Sequence, residues 1–190
     1  MEPVAKPRER FTRKDYEQLP EDFRAELIEG DLVMVPAPDP SHQSLLGVLH
    51  ACLLGHLGRQ ARHRLLVSPV DLHIDDENIV QPDLLVLPEG TRARKRPWRI
   101  PHPVWIAEVL SPKTASRDRG VKLRLYARVG VREAWLVDPD AETVEVRPLG
   151  LEENDGAVVP AHPYRRGEVA VSRELVGLAV PVDELFDLEG

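Results

Sequence analysis

The sequence predicts one mixed α/β domain, a sheet of mixed strand direction with helices packed on it. Three observations predict it. Short apolar runs bounded by Pro, Gly and Asp recur along the 190 residues, as strands between turns do. Two stretches instead space their apolar residues helically, from Leu45 to Leu57 and from Val121 to Val129. One run, Val104 to Leu110, is apolar but for a single acid, as in a central strand covered on both faces. The order helix, hairpin, long helix, strands, helix, hairpin fits helices packed against one sheet.

Residues 1–10 are charged and Pro-containing and read as a flexible N-terminus; 11–190 read as the domain. A short helix opens at Phe11–Tyr16, with Thr12 as N-cap and Asp15 in the capping-box position. Ile28 and Leu32-Val33 flank a hairpin turn at Glu29-Gly30-Asp31. After the stiff loop Pro36–Pro40, Ser41 is expected to cap the long helix, which runs through His56 or beyond. Gly47, Gly55 and Gly58 weaken that helix and suggest close backbone packing. Val70, Leu72 and Ile74 alternate with Asp71, His73 and Asp75, the pattern of a half-buried strand. Ile79 to Leu87 reads as a strand interrupted at Gln81-Pro82, and 88–103 as a loop. A helix is expected from about Ser116 to Val129, capped by Gly130. Val131–Val137 and Thr143–Val146 make a second hairpin. Short strands follow, ending at Val180–Val182, with Asp183 capping a last turn.

Length and composition, with 42% hydrophobic and 30% charged residues, describe a folded globular chain. No apolar stretch approaches a membrane span of about 20 residues, and the N-terminus has no signal-peptide core, so no membrane partner is expected and the cytoplasm is the expected location. A single cysteine, Cys52, excludes an internal disulfide and a cysteine-built zinc site. The net charge of −7 argues against non-specific coating of nucleic acid, but the charge is uneven. Residues 1–132 hold 21 Lys and Arg against 18 Asp and Glu, whereas 133–190 hold 4 against 14. Basic residues cluster at Arg92, Arg94, Lys95, Arg96 and Arg99, and again at Arg117, Arg119 and Arg124, where they could meet a DNA backbone.

The chemistry gathers between Pro82 and Tyr126. Strand alternation puts Ile106, Glu108 and Leu110 on one face and Trp105, Ala107 and Val109 on the other. Glu108 is thus an acid among core residues, which is costly unless a cation compensates it. Ser111-Pro112 ends that strand, and Asp83 stands at the mouth of its own. Two carboxylates at neighbouring strand ends offer hard oxygen ligands suited to Mg²⁺ or Mn²⁺ rather than zinc. Lys122 lies one helical turn after Asp118 on the same face, with Tyr126 a turn further. Its ammonium could neutralise the acids, steady an attacking water or bind a phosphate, or it could form only a surface pair with Asp118.

Pro82-Asp83, Glu108-Val-Leu-Ser-Pro-Lys-Thr, Asp118 with Lys122 and Tyr126, and Gly130-Val-Arg-Glu-Ala-Trp-Leu-Val-Asp138-Pro together resemble the Uma family of restriction-endonuclease-like proteins, within the PD-(D/E)XK nuclease superfamily. Glu26-Leu-Ile-Glu-Gly30 and Pro40-Ser-His42 match the same family's opening, so the resemblance covers roughly residues 11 to 185. It implies a restriction-endonuclease-like mixed β-sheet flanked by helices and Mg²⁺- or Mn²⁺-dependent hydrolysis of DNA phosphodiesters. It also implies Asp83 and Glu108 as metal ligands, Glu26 as a third acid from an N-terminal helical segment, and Lys122 as the catalytic lysine. His42, Asp118 and Tyr126 are implied as support. The chain departs from the superfamily at Leu110, two residues after the strand acid, where the lysine usually lies. The family moves that lysine to the following helix, where Lys122 stands. The resemblance further implies a homodimer, since members often pair to cut both strands. The competing readings are a non-catalytic nucleic-acid or protein-binding module on a retained nuclease fold, and action on RNA or another phosphodiester.

Overall fold

A computed structural model describes residues 10–20, 23–91, 100–150 and 161–187. The segments 1–9, 92–99 and 151–160, with the basic cluster Arg92, Arg94, Lys95, Arg96 and Arg99, lie outside the described residues. Arg10, the last of the expected N-terminal arm, is held by Glu77 at 3.0 Å.

The chain opens with α1 (Arg13–Tyr16), where Asp15 accepts hydrogen bonds from the backbone and hydroxyl of Thr12, both at 2.7 Å. The first hairpin is β1 (Ala25–Ile28) and β2 (Asp31–Met34), paired antiparallel with Ile28 opposite Asp31. β1 is buried along its whole length, so Glu26 is a strand acid and not one from a helical segment. All four residues pair with β2, Leu27 pairs also with Ile79 of a second strand, and that pairing overrides their helical propensity.

The long helix α2 (Pro40–Ala61) begins at Asp39, not Ser41. Pro40 suits the first helical position because its missing N–H would be unpaired there anyway. The Asp39 carboxylate then caps the turn, accepting from His42 N at 2.9 Å and Ser41 Oγ at 2.6 Å. A Cβ added at Gly47, Gly55 or Gly58 would meet nothing within 4 Å, so close packing does not explain these glycines. Gly58 serves its own backbone, at φ 65°, where the helix breaks its path.

After a 3₁₀ turn (Arg62–Arg64) come β3 (Leu65–Val67), β4 (Leu72–Asp75), β5 (Asn78–Val80) and β6 (Leu84–Val86). The expected strand from Val70 begins two residues later, at Leu72. The interruption at Gln81-Pro82 is a change of sheet. β5 joins a four-stranded sheet in the order β2-β1-β5-β4, while β6 joins β7 (Trp105–Val109). The main sheet continues through β8 (Glu133–Asp138), β9 (Thr143–Pro148) and β10 (His162–Arg165), in the order β10-β9-β8-β7-β6-β3. β7 and β8 are parallel and their other neighbours antiparallel, the mixed sheet the sequence predicts. A parallel pair needs a crossover, and α3 (Ala115–Arg117), a π-helical turn (Asp118–Lys122) and α4 (Leu123–Arg128) supply it. Gly130, at φ 85°, ends it as expected. A small sheet of β11 (Val169–Val171) and β12 (Ala179–Pro181) precedes α5 (Val182–Phe186). Asp183 lies inside α5 rather than capping it, and its carboxylate accepts from Gly167 N at 2.9 Å.

β7 divides the core as strand alternation requires. Trp105, Ala107 and Val109 pack with Leu45, Leu49 and Leu53 of α2 and with Val180, Val182 and Leu185. Ile106 and Leu110 pack with Leu123, Leu125 and Tyr126 of the crossover helix. On the α2 side, buried Glu133 accepts from the indoles of Trp105 and Trp135, from Ser172 Oγ and from Arg173 N, and ties the C-terminal segment to the sheet. Among the described residues, no helix is long and apolar enough to cross a membrane.

Candidate active site

Because β6 runs antiparallel to β7, with Leu84 opposite Ala107, the start of β6 lies beside the end of β7. That pairing brings Asp83 to Glu108. β1 adds Glu26 through β5, and the crossover helix folds back over Glu108's face of the sheet. Residues four apart on an α-helix drift by about 40° around the axis, and residues eight apart by about 80°. The π turn widens the first step and takes back much of that drift, so Asp118, Lys122 and Tyr126 all face the sheet. Such turns recur at functional sites.

The resulting cluster is tight. Lys122 Nζ stands 2.7 Å from Glu108 Oε1, 3.1 Å from Glu26 Oε1 and 3.4 Å from Asp118 Oδ1. An ammonium has three N–H donors, so these three acids can take all of them. The Tyr126 hydroxyl donates to the same Glu108 oxygen. The Gln81 amide N–H donates to Glu26 Oε1 at 2.8 Å, and Val109 N–H to Asp83 Oδ2 at 2.8 Å. His42 Nε2 lies 3.3 Å from that Asp83 oxygen. Glu26, Glu108, Asp118 and Lys122 are each 3–4% exposed, so bulk water screens little of this. The surface Asp118–Lys122 pair that the spacing allowed is therefore a buried one.

The protonation behaviour follows from one cation among several carboxylates. Burial pushes Glu108 well above the usual carboxylate range; Lys122 pulls it back, while Asp118, Asp83 and Glu26 push it further up. For Lys122 burial works against the charge, but Glu108, Tyr126, Glu26 and Asp118 outweigh it and hold the ammonium well above its ordinary value. Burial and the Glu108 charge likewise raise the Tyr126 hydroxyl. Burial lowers His42, yet the hydrogen bond and charge of Asp83, with Asp39, leave it above the usual histidine value.

Each of the three expected ligands keeps one oxygen without a partner among the described residues: Glu26 Oε2, Asp83 Oδ1 and Glu108 Oε2. None of these is a buried unsatisfied atom, which leaves them facing the cavity that the three residues line. The cavity measures about 130 Å³ and is also lined by His42, Asp118, Lys122, Arg24 and Arg117. It is well below the roughly 300–1,000 Å³ of a drug-sized site, so it suits a cation and one phosphate group rather than a whole nucleotide.

A hard divalent cation fits this donor set. The oxygens are carboxylates, they outnumber the one ammonium, and burial with the neighbouring acids holds Glu108 above the usual carboxylate range, where a bound cation would favour its charged form. Among the described residues no group of three or more His, Cys, Asp or Glu is placed to hold a metal ion together as the side chains stand. Mg²⁺ does not require such a group, since it keeps several waters and takes one or two carboxylates.

Of the expected DNA-facing arginines, Arg119 is bound to Asp138 at 2.6 Å and Glu145 at 2.7 Å. Arg124 is exposed, 4.0 Å from Glu29 and away from the cavity wall. Arg117 lines the cavity, and so does Arg24, which sequence reading missed; its one signal was its place two residues before Glu26. Gln81 was also missed, because it acts on Glu26 through its backbone.

The mixed sheet, the acids at its strand ends and the crossover helix define a restriction-endonuclease-like protein. A crystal structure of "a putative nuclease belonging to DUF820" from Anabaena variabilis shares this fold at a TM-score of 0.75 and 20% identity, covering 94% of this chain and 98% of that one. The chain belongs to the Uma2 family, whose model, described as "Putative restriction endonuclease", matches residues 13–183. No curated protein matches it.

Proposed function

We propose that this chain is a divalent-metal-dependent endonuclease hydrolysing DNA phosphodiester bonds. The observation that carries the reading is the surplus of buried carboxylates over the single ammonium, with one oxygen of Glu26, Asp83 and Glu108 left toward a phosphate-sized cavity. Asp83 and Glu108 would hold Mg²⁺ or Mn²⁺, with Glu26 as a third acid. Bound there, the ion would lower the pKa of a water and stabilise charge on the phosphate during in-line displacement. Lys122 serves first as counter-ion to the acids. An N–H of Lys122 would also hold the attacking water or a non-bridging phosphate oxygen. Tyr126 fixes the Glu108 rotamer through their hydrogen bond. Arg24 and Arg117 have no ion-pair partner among the described residues, and would grip the phosphates flanking the scissile one.

The test is incubation with plasmid and single-stranded DNA in Mg²⁺ or Mn²⁺, and in chelator. Cleavage should require the metal and vanish in Asp83→Ala and Glu108→Ala. Activity surviving both substitutions removes the assigned site. Absence of divalent-metal binding by calorimetry would leave the non-catalytic binding module as the better reading. Two copies acting as a homodimer would cut both strands, and sedimentation in the presence of DNA checks that pairing.

A further inference from the structure

We infer that His42 is the positioning residue that sets Asp83 for the cation, an inference that rests on the metal site proposed above. The argument starts at the N-terminus of α2. Pro40 and the Asp39 cap fix the first turn, and the backbone N–H of His42 is itself bound to Asp39 at 2.9 Å. The ring is thereby delivered to the cavity wall from a long helix whose Leu45, Leu49 and Leu53 are anchored against β7.

At the wall, Nε2 lies 3.3 Å from Asp83 Oδ2, the oxygen that also accepts from Val109 N–H at 2.8 Å. The two contacts approach one oxygen, so together they fix the rotation of the carboxylate and leave Oδ1 toward the cavity. The 3.3 Å contact is long, as such contacts commonly are before a site is filled. The other ring nitrogen, Nδ1, is cut off from solvent and has no partner among the described residues. A histidine kept only to tie α2 to its surroundings would be expected to use both nitrogens, because a buried unpaired polar atom is unfavourable. The ring's one ion pair is with Asp83, and the backbone of Val109, whose N–H also holds Asp83, adds a weaker polar contact. Outer partners of this kind orient a ligand, and their loss typically weakens metal binding about 10–100-fold.

The test is Mn²⁺ affinity by calorimetry for wild type, His42→Leu, His42→Asn and His42→Gln, with thermal unfolding of each without metal. A glutamine amide nitrogen reaches the place of Nε2, whereas an asparagine amide nitrogen reaches only that of Nδ1. His42→Leu and His42→Asn should bind Mn²⁺ about 10–100-fold more weakly, with His42→Gln recovering most of the affinity. That atom-specific recovery is not something a packing role would produce. Wild-type affinity in His42→Leu, or equal recovery by Asn and Gln, overturns the inference. If His42→Leu does not fold, the Asn and Gln variants decide it alone. Wild type that binds no Mn²⁺ overturns the metal site itself and this inference with it, whereas binding that is indifferent to residue 42 overturns this inference only.

Discussion

Replacing Lys122 with methionine removes the one ammonium from the acid cluster while roughly keeping its volume. Three carboxylate oxygens within 3.4 Å then lose their counter-charge in surroundings where the side chains of Glu26, Glu108 and Asp118 are 4–5% exposed. Breaking a buried pair by deleting one partner costs about 3–5 kcal/mol, and each kcal/mol shifts Tm by about 2–4 °C in a domain of this size, so the expected fall at pH 8 is roughly 6–20 °C. The pH dependence carries a definite sign. Lys122 is the group pulling the Glu108 carboxyl down, so its removal sends that carboxyl further above the usual range. A carboxyl whose pKa is higher folded than unfolded retains its proton longer in the native state. Stability therefore falls as pH rises from the ordinary carboxylate value through the folded one. The fall in Tm should be largest at pH 8 and shrink toward pH 5. Mg²⁺ should restore part of it by standing in for the lost charge. Lys122→Met with Glu108→Gln should be more stable at pH 8 than Lys122→Met alone, because the second change removes an uncompensated acid. Thermal unfolding followed by circular dichroism in chelator, at both pH values, measures all of this. A Tm within about 2 °C of wild type at pH 8, or a loss that grows toward pH 5, would refute the reasoning.

Two further outcomes test other parts of the molecule. Glu133→Ala should cost more than about 3 kcal/mol in urea unfolding followed by tryptophan fluorescence, because two indoles, a hydroxyl and a backbone N–H lose their acceptor. Its Mn²⁺ affinity should stay at the wild-type value, since that carboxylate lies on the other face of the sheet from Glu108. Arg24→Ala and Arg117→Ala should each weaken DNA binding in chelator and flatten the plot of log affinity against log salt by about 0.7–0.9. Anisotropy titrations between 50 and 200 mM salt check this, and an unchanged slope would take the arginine from the phosphate path.

The resemblance to a nuclease family was legible because it rests on local strings, such as Pro82-Asp83 and Glu108-Val-Leu-Ser-Pro, which stay contiguous however the chain folds. The two faces of Val104–Leu110 were legible for a related reason. Strand alternation has a period of two, and a one-residue error would reverse every side chain. Helix and strand placement failed where a competing local signal was stronger or tertiary pairing decided. Ser41 is a good cap, but Pro40 and Asp39 start the helix two residues earlier. Glu26 sits in a segment short enough to read either way, and only its pairing with β2 and β5 makes it a strand acid.

By itself the sequence determined that buried acids and a helical lysine exist, that the residue two after Glu108 is an unchargeable leucine, and that the chain forms a mixed α/β domain. Only the tertiary structure decided that these groups meet. Asp83 reaches Glu108 because β6 runs antiparallel to β7, and Glu26 arrives through a strand of another sheet. Lys122 reaches all three neighbouring acids because a π turn realigns its helix. Each of these depends on pairing direction, sheet crossing or helical winding over long sequence separations, and linear spacing along the chain carries none of them.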